Sequence, residues 1–312
     1  MARCSTDFDS CDIHKPLVVA PSGYPAISPG KRCDCAKKAR ASLYTAEMAL
    51  QFGVYLPPFG ELADPRVLAE IAAEAESAGF DGVFVWDHVA RPHQPGLAVC
   101  DAWIGLAAIA AATSTVAFGP RITPLSRRRP QDVARETVAL DLLSGGRLAL
   151  GVGLGSEATG EFARLGEVAV PRERAQRLDE ALSLLTALWS GEVVHHDGPA
   201  YRVDGLQFLP RPVQRPRIPI WVAAQSVRQA PLRRAARYDR LCPEASPEQL
   251  VEMLAIIAEH RGDLTGFEVV LAAASDRERD AYARAGATWW LTELPVICSR
   301  AEALALVRRG PG

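Results

Sequence analysis

From Gln51 to the C-terminus the chain alternates between two hydrophobic rhythms. Short uninterrupted apolar runs such as Val83-Phe-Val-Trp86 and Leu148-Ala-Leu-Gly-Val152 read as strands buried on both faces, the pattern of a parallel sheet. Such runs begin near Gln51, Gly82, Val116, Arg147, Ile218, Asp239, Phe267 and Thr288. Between them the apolar positions follow a helical period. The predicted helices are Asp64–Ala78, Asp101–Ala112, Pro130–Leu143, Pro171–Trp189, Arg228–Arg237, Pro247–His260, Asp276–Ala285 and Ser299–Arg309. The first helix shows the boundary chemistry: Asp64 to cap it, Pro65 for its first turn, Gly79 to end it.

Eight strand–helix alternations within the 265 residues from Met48 to Gly312 predict an α/β fold, a (β/α)8 TIM barrel. A doubly wound open sheet is the alternative, with fewer strands per domain. Roughly 70 residues separate the fourth strand from the fifth, an insertion containing the fourth helix and Val193-Val-His-His-Asp197-Gly198. Its Asp-Gly between β-prone segments predicts a hairpin, followed by the proline-rich link Pro210–Pro216.

The first 47 residues break the rhythm. They hold four of the seven cysteines and no tryptophan, and Cys33-x-Cys35 lacks zinc-knuckle spacing. The expectation is a disordered extension or a start assigned too early, with residues 48–312 as the barrel domain. Scattered Cys100, Cys242 and Cys298 suit free thiols in a reducing compartment. With 35 basic against 37 acidic residues, charge gives no reason to expect nucleic acid or an anionic membrane as partner. Ala102–Ala112 is too short to span a bilayer and no secretory signal is evident, so the expected location is the cytoplasm.

Reactive groups of a parallel barrel belong at the carboxyl ends of its strands. There the sequence places Pro57–Phe59, Asp87-His88, Thr123–Arg129, Gly153–Glu157, Ala223–Ser226, Pro243-Glu244, Ser275 and Thr292-Glu293. His88 is placed to exchange protons near neutral pH, against the plainer reading of a loop histidine bonded to a carbonyl. Arg127, Arg128 and Arg129 either hold an anionic ligand or pair with acidic neighbours. Gly151-Val-Gly153-Leu-Gly155-Ser156 fails the dinucleotide fingerprint at its third glycine; it either lets backbone approach a flat ligand or permits a tight turn. His195 and His196 point to opposite faces of one strand and cannot share a metal.

Together these segments resemble the luciferase-like monooxygenase family, FMN- or deazaflavin-dependent oxidoreductases built on a (β/α)8 barrel. The resemblance is carried by Phe52-Gly53, Ala78–His88, Arg135–Gly155, Arg172-Glu-Arg174, Leu188–Gly191, Phe208–Gln214 and Pro219–Val222. It implies His88 as the catalytic residue facing the reactive edge of the flavin. It implies cofactor contacts at Asp87, Pro120, Arg121, Thr123, Gly153, Gly155 and Ser156. Ala223, Ala224, Gln225 and Ser226 would meet the cofactor phosphate, although Gln225 replaces the usual glycine. A non-prolyl cis peptide behind the ring is expected at Pro120–Arg121. The sugar-phosphate dehydrogenase branch has an acid where this chain has Ser156 and a tryptophan where it has Pro92, so that activity is disfavoured. The expected function is oxidation of a small organic substrate with O2 and reduced FMN supplied by a separate flavin reductase. The alternatives are hydride transfer with the deazaflavin coenzyme F420, and a non-catalytic flavin-binding relative. A homodimer is expected from the apolar helix Ala102–Ala112.

Overall fold

The computed structural model describes residues 50–158 and 160–312. The expectations for the first 47 residues lie outside them. In chain order the elements are β1 (Gln51–Leu56), α1 (Pro65–Ser77), β2 (Gly82–Val85), α2 (Ala102–Ala112), β3 (Ala117–Pro120), β4 (Thr123–Pro124) and α3 (Pro130–Ser144). There follow β5 (Leu150–Gly153), α4 (Glu161–Arg164), α5 (Pro171–Trp189), β6 (Val193–Asp197), β7 (Arg202–Gln207), β8 (Ile220–Ala224) and α6 (Gln229–Ala235). The chain ends with β9 (Arg240–Pro243), α7 (Pro247–Arg261), β10 (Glu268–Ala273), α8 (Arg279–Ala285), β11 (Trp289–Glu293) and α9 (Arg300–Val307). Every predicted helix is present within a few residues of its expected ends. Asp64 caps α1 by accepting from the Arg66 amide, and Gly145 ends α3 in the left-handed conformation.

The strands form one parallel sheet in the order β3-β2-β1-β11-β10-β9-β8-β5-β4, and a parallel bridge between Phe118 and Leu148 closes it into a barrel. Nine strands appear because the third of the eight predicted strands is broken: β3 pairs with β2, and β4 pairs with β5. At the break lies a non-prolyl cis peptide, Arg121–Ile122. This is one residue beyond the expected Pro120–Arg121. The Arg121 amide still donates to Val85 O, at 2.8 Å, so the β3–β2 ladder runs through Arg121 before the chain turns.

Side chains of alternating parity divide into two cores. An outer one lies between sheet and helices. An inner one fills the barrel with Tyr55, Phe84, Trp221, Cys242, Val270, Trp289 and Leu291. Phe84 and Trp221 meet at 4.6 Å between ring centroids, and the Arg240 guanidinium lies 4.7 Å over Trp221 while paired with Glu268. One side of the barrel is drawn in by glycine. A Cβ on Gly119 would meet Ala149 O at 1.8 Å, and one on Gly151 would meet Pro120 O at 2.2 Å.

The predicted insertion is present as the antiparallel hairpin β6–β7. Glu180 of α5 pins its turn, accepting from the Ala200 and Tyr201 amides and contacting His196 Nε2 at 2.9 Å. The proline-rich link returns along α3, where buried Asp141 accepts from the Val213 and Gln214 amides and from the Gln214 side chain. No helix among the described residues is long and apolar enough to cross a membrane.

Because the obstacles at Gly119 and Gly151 are backbone atoms, Gly119→Ala and Gly151→Ala are each expected to cost about 1–3 kcal/mol or more of stability. Urea unfolding checks this. A loss below about 0.5 kcal/mol, ordinary for a surface change, would show that the strands separate freely.

Candidate active site

The cavity at the carboxyl end of the barrel follows from residue size. Near their carboxyl ends four neighbouring strands, β5, β8, β9 and β10, present Gly153, Ala223, Cys242 and Ala272 to the cavity. Across from them, β1 and β2 supply Tyr55 and Trp86, and the break in the third strand supplies Arg121. The small side chains leave a void of about 750 Å³, within the range of small-molecule sites. Tyr55 and Trp86 lie 5.5 Å apart with 28° between their planes, and Phe59 meets Trp86 edge-on.

His88 stands on the wall of this cavity, its side chain 20% exposed. Its Nδ1 lies 2.8 Å from Glu161 Oε2. The other Glu161 oxygen accepts from the Val89 amide at 2.5 Å and pairs with Arg127 Nη1 at 2.7 Å. A carboxylate only accepts, so Nδ1 carries a proton, and in the neutral imidazole the lone pair is on Nε2. Burial alone would raise the Glu161 carboxyl; His88, the Val89 amide and Arg127 outweigh it, and the net direction is downward.

Asp87, the preceding residue, anchors the other side of this chain of contacts. Its carboxylate, 1% exposed, accepts a bidentate pair from Arg128 at 2.8 and 3.0 Å and a bond from Arg127 at 3.2 Å. Thr123 Oγ1 also donates to it. The sequence Arg128–Asp87–Arg127–Glu161–His88 is therefore one connected ionic network. This decides between the two readings of the arginine cluster: Arg127 and Arg128 are committed to acidic neighbours, and Arg129 is exposed at the start of α3.

Of the residues expected at the site, Asp87, His88, Arg121, Gly153, Gly155, Ser156, Ala223, Ala224, Gln225 and Ser226 all border the cavity. Pro120 and Thr123 do not: Pro120 stays in β3, and Thr123 is fully buried against Asp87. Gln225 donates to Glu244 at 2.8 Å. The Glu157 carboxylate accepts from the Phe162 and Ala163 amides and so caps α4. It does not take the place of the acid that Ser156 lacks. Gly155, at φ +70°, is required twice, because a Cβ there would also strike Phe162 at 2.7 Å. Arg174 lies 4.6 Å over the same Phe162 ring and donates to the Leu154 and Gly155 carbonyls, holding the glycine turn in shape.

Glu161 was not among the expected site residues. It is 73 positions from His88 on a four-residue helix, too short to show periodicity. Only its place just after the glycine stretch at the end of β5 marked it. Arg174 lay within a motif, Arg172-Glu-Arg174, that the sequence offered no role for.

The donors left over are informative. Trp86 Nε1, Arg121 Nε and Arg174 Nε are buried with no partner, and all three residues border the cavity. Flavin and deazaflavin rings carry carbonyl acceptors, and their tails carry phosphate. The donor-rich, partly aromatic lining therefore fits such a group.

The site is thus a histidine–carboxylate pair beside a ring-sized cavity at the carboxyl end of a parallel barrel. The chain belongs to the luciferase-like monooxygenase family, whose model matches residues 45–309. It is 38% identical over 183 residues to an F420-dependent glucose-6-phosphate dehydrogenase of Gordonia bronchialis, covering 57% of this chain and 52% of that protein. It is 38% identical over 176 residues to an F420-dependent hydroxymycolic acid dehydrogenase of Mycobacterium tuberculosis, covering 55% and 47%. The chain thus spans about half the length of these curated relatives. A solved F420-dependent secondary alcohol dehydrogenase in complex with an F420-acetone adduct has the same fold, with TM-score 0.71 at 19% identity over 84% of this chain and 98% of that one.

Two expectations follow from the network. Asp87→Ala leaves two buried guanidiniums short of their shared carboxylate and should cost about 3–5 kcal/mol in urea unfolding; a loss under about 1 kcal/mol would show that the arginines find other partners. Glu161→Gln tests the carboxylate's charge. Its folded-state pKa is depressed, so its contribution is complete above the ordinary carboxyl value of about 4.3 and fades as pH falls through the lowered one. The stability gap between wild type and variant should close in that acid window. A gap constant from pH 7 to about 3 would assign the loss to shape instead.

Proposed function

We propose that this chain is a deazaflavin (coenzyme F420)-dependent oxidoreductase that moves a hydride between the coenzyme and a small substrate at the hydroxyl or carbonyl level. The expectation of FMN and oxygen gives way here because the similar curated relatives are named as F420-dependent. The observation that carries the chemistry is the His88–Glu161 pair on the cavity wall. When bound, the deazaflavin supplies a ring carbon that accepts or returns a hydride. Trp86 and Arg174 hold unmatched donors available to it.

The protein's part is the proton. With Nδ1–H held by Glu161, the His88 Nε2 lone pair accepts a hydroxyl proton as the alcohol becomes a carbonyl and returns it in reverse. The resulting imidazolium is stabilised by the Glu161 carboxylate, the same logic by which a carboxylate orients a catalytic histidine in hydrolases. The aromatic wall of Tyr55 and Trp86, the latter backed by Phe59, excludes water from one side. Glucose 6-phosphate is not carried over from the relatives. Ser156 and Pro92 depart from the pattern of that branch, and Glu157 is occupied at α4.

The purified protein is expected to bind coenzyme F420 saturably, followed by fluorescence titration, and FMN at least tenfold more weakly. His88→Ala should keep coenzyme affinity within about threefold while lowering F420-linked alcohol oxidation by the 10²–10⁴-fold typical of a lost general base. Tighter binding of FMN than F420 would return the monooxygenase reading. Parallel loss of stability and turnover in His88→Ala would make this histidine structural.

A further inference from the structure

The cavity contains a second charged feature, at its closed end, that the proton relay does not use. Arg121 is 9% exposed, and its guanidinium rests 5.0 Å over the Tyr55 ring, on top of the inner core. Its neighbours there are Tyr55 and the Cys242 thiol, both shifted upward by burial and therefore neutral. Unlike Arg127 and Arg128, it makes no ion pair among the described residues; its Nε, like those of Arg127 and Arg174, has no hydrogen-bond partner. A guanidinium remains charged at any ordinary pH, and burying one without a counter-charge is costly. Glu244 and Glu293 border the same cavity but do not pair with it. Glu244 is turned to Gln225. Burial shifts Glu293 toward its protonated form, partly against the pull of Arg121.

We propose that Arg121 is an oxyanion receptor that takes the carboxylate of an organic-acid substrate at the base of the cavity. A planar fork with a free Nε edge suits a carboxylate better than a point charge would. The aromatic ring beneath it and the neutral thiol beside it hold the fork in place without competing for it. As a statement of substrate class, the inference rests on the oxidoreductase reading above; as a binding site, it stands without it. A negatively charged coenzyme ring offers the same oxyanion chemistry, so the test has two arms.

In the first arm, the full chain without coenzyme is titrated with lactate and with the neutral propane-1,2-diol, followed by tryptophan fluorescence and by the shift in melting temperature. Lactate should bind saturably and at least tenfold more tightly than the diol. Arg121→Met should abolish that preference, and Arg121→Lys should retain part of it. Glu293→Gln, which removes a negative charge, should tighten lactate. In the second arm, F420 affinity is measured in the same variants. A tenfold loss confined to F420 assigns the oxyanion to the coenzyme and overturns the substrate assignment. Unchanged binding of both probes in Arg121→Met, or weaker lactate binding in Glu293→Gln, overturns the receptor altogether. Should Arg121→Met fail to fold, Arg121→Lys and Glu293→Gln decide. Failure of the wild type to bind F420 counts against the proposed function only, because the lactate arm contains no coenzyme.

Discussion

One buried carboxylate, Asp87, sets the geometry of the rim. It emerges just past the end of β2 and gathers Arg127 and Arg128 from the turn before α3, with Thr123 from β4. Arg127 then reaches Glu161, and Glu161 fixes His88. Buried ion pairs are weak evidence for net stability, since desolvation cancels most of the attraction. Their contribution here is positional: each member has a defined partner, and removing one strands another. The orientation of the imidazole is thus inherited from a carboxylate next to it in sequence that never touches it.

The void that His88 faces has a separate origin in side-chain volume. Below it the barrel is filled by Phe84, Trp221 and Trp289, whose rings meet at tilted and edge-on angles. Toward the carboxyl ends the inward positions shrink to glycine, alanine and cysteine on four adjacent strands, while the opposite strands keep large rings. A close-packed interior leaves few voids larger than a water molecule. A hollow of this size therefore needs small residues on several adjacent strands, and the parallel sheet brings their carboxyl ends together.

Much of this was legible before any coordinates. Strand and helix alternation is a strong signal when eight units repeat it, and strand-end positions named most of the cavity wall. What was hidden depended on distance through the fold. The arginine cluster stayed ambiguous because Asp87 and Glu161, its partners, lie about 40 positions upstream and some 34 downstream. Glu161 had no periodicity to reveal it. The cis peptide lies one residue beyond the expected Pro120–Arg121 bond, and the ladder hydrogen bond of Arg121 keeps the chain in the sheet up to that residue. The inward direction of Arg121 follows from the parity of Ala117 and Gly119, but the break at the next residue made parity an uncertain guide.

The contrast among the arginines is the last step. Arg127 and Arg128 meet carboxylates and so act as struts. Arg174 meets backbone carbonyls and acts as a clamp on the glycine turn. Arg121 also lies over an aromatic ring, but beside a thiol and without an ion-pair partner, so its neighbours position the cation without neutralising it. Arg127 and Arg174 also leave an Nε unmatched, but each commits other nitrogens to a carboxylate or to carbonyls, whereas Arg121 has no ion-pair partner among the described residues. Glu244 and Glu293 are close enough to influence Arg121, yet one is bonded elsewhere and the other is biased toward neutrality. The cavity therefore separates two electrostatic tasks: matched charges hold the rim and orient the imidazole, and an unmatched one at the base remains available to a ligand.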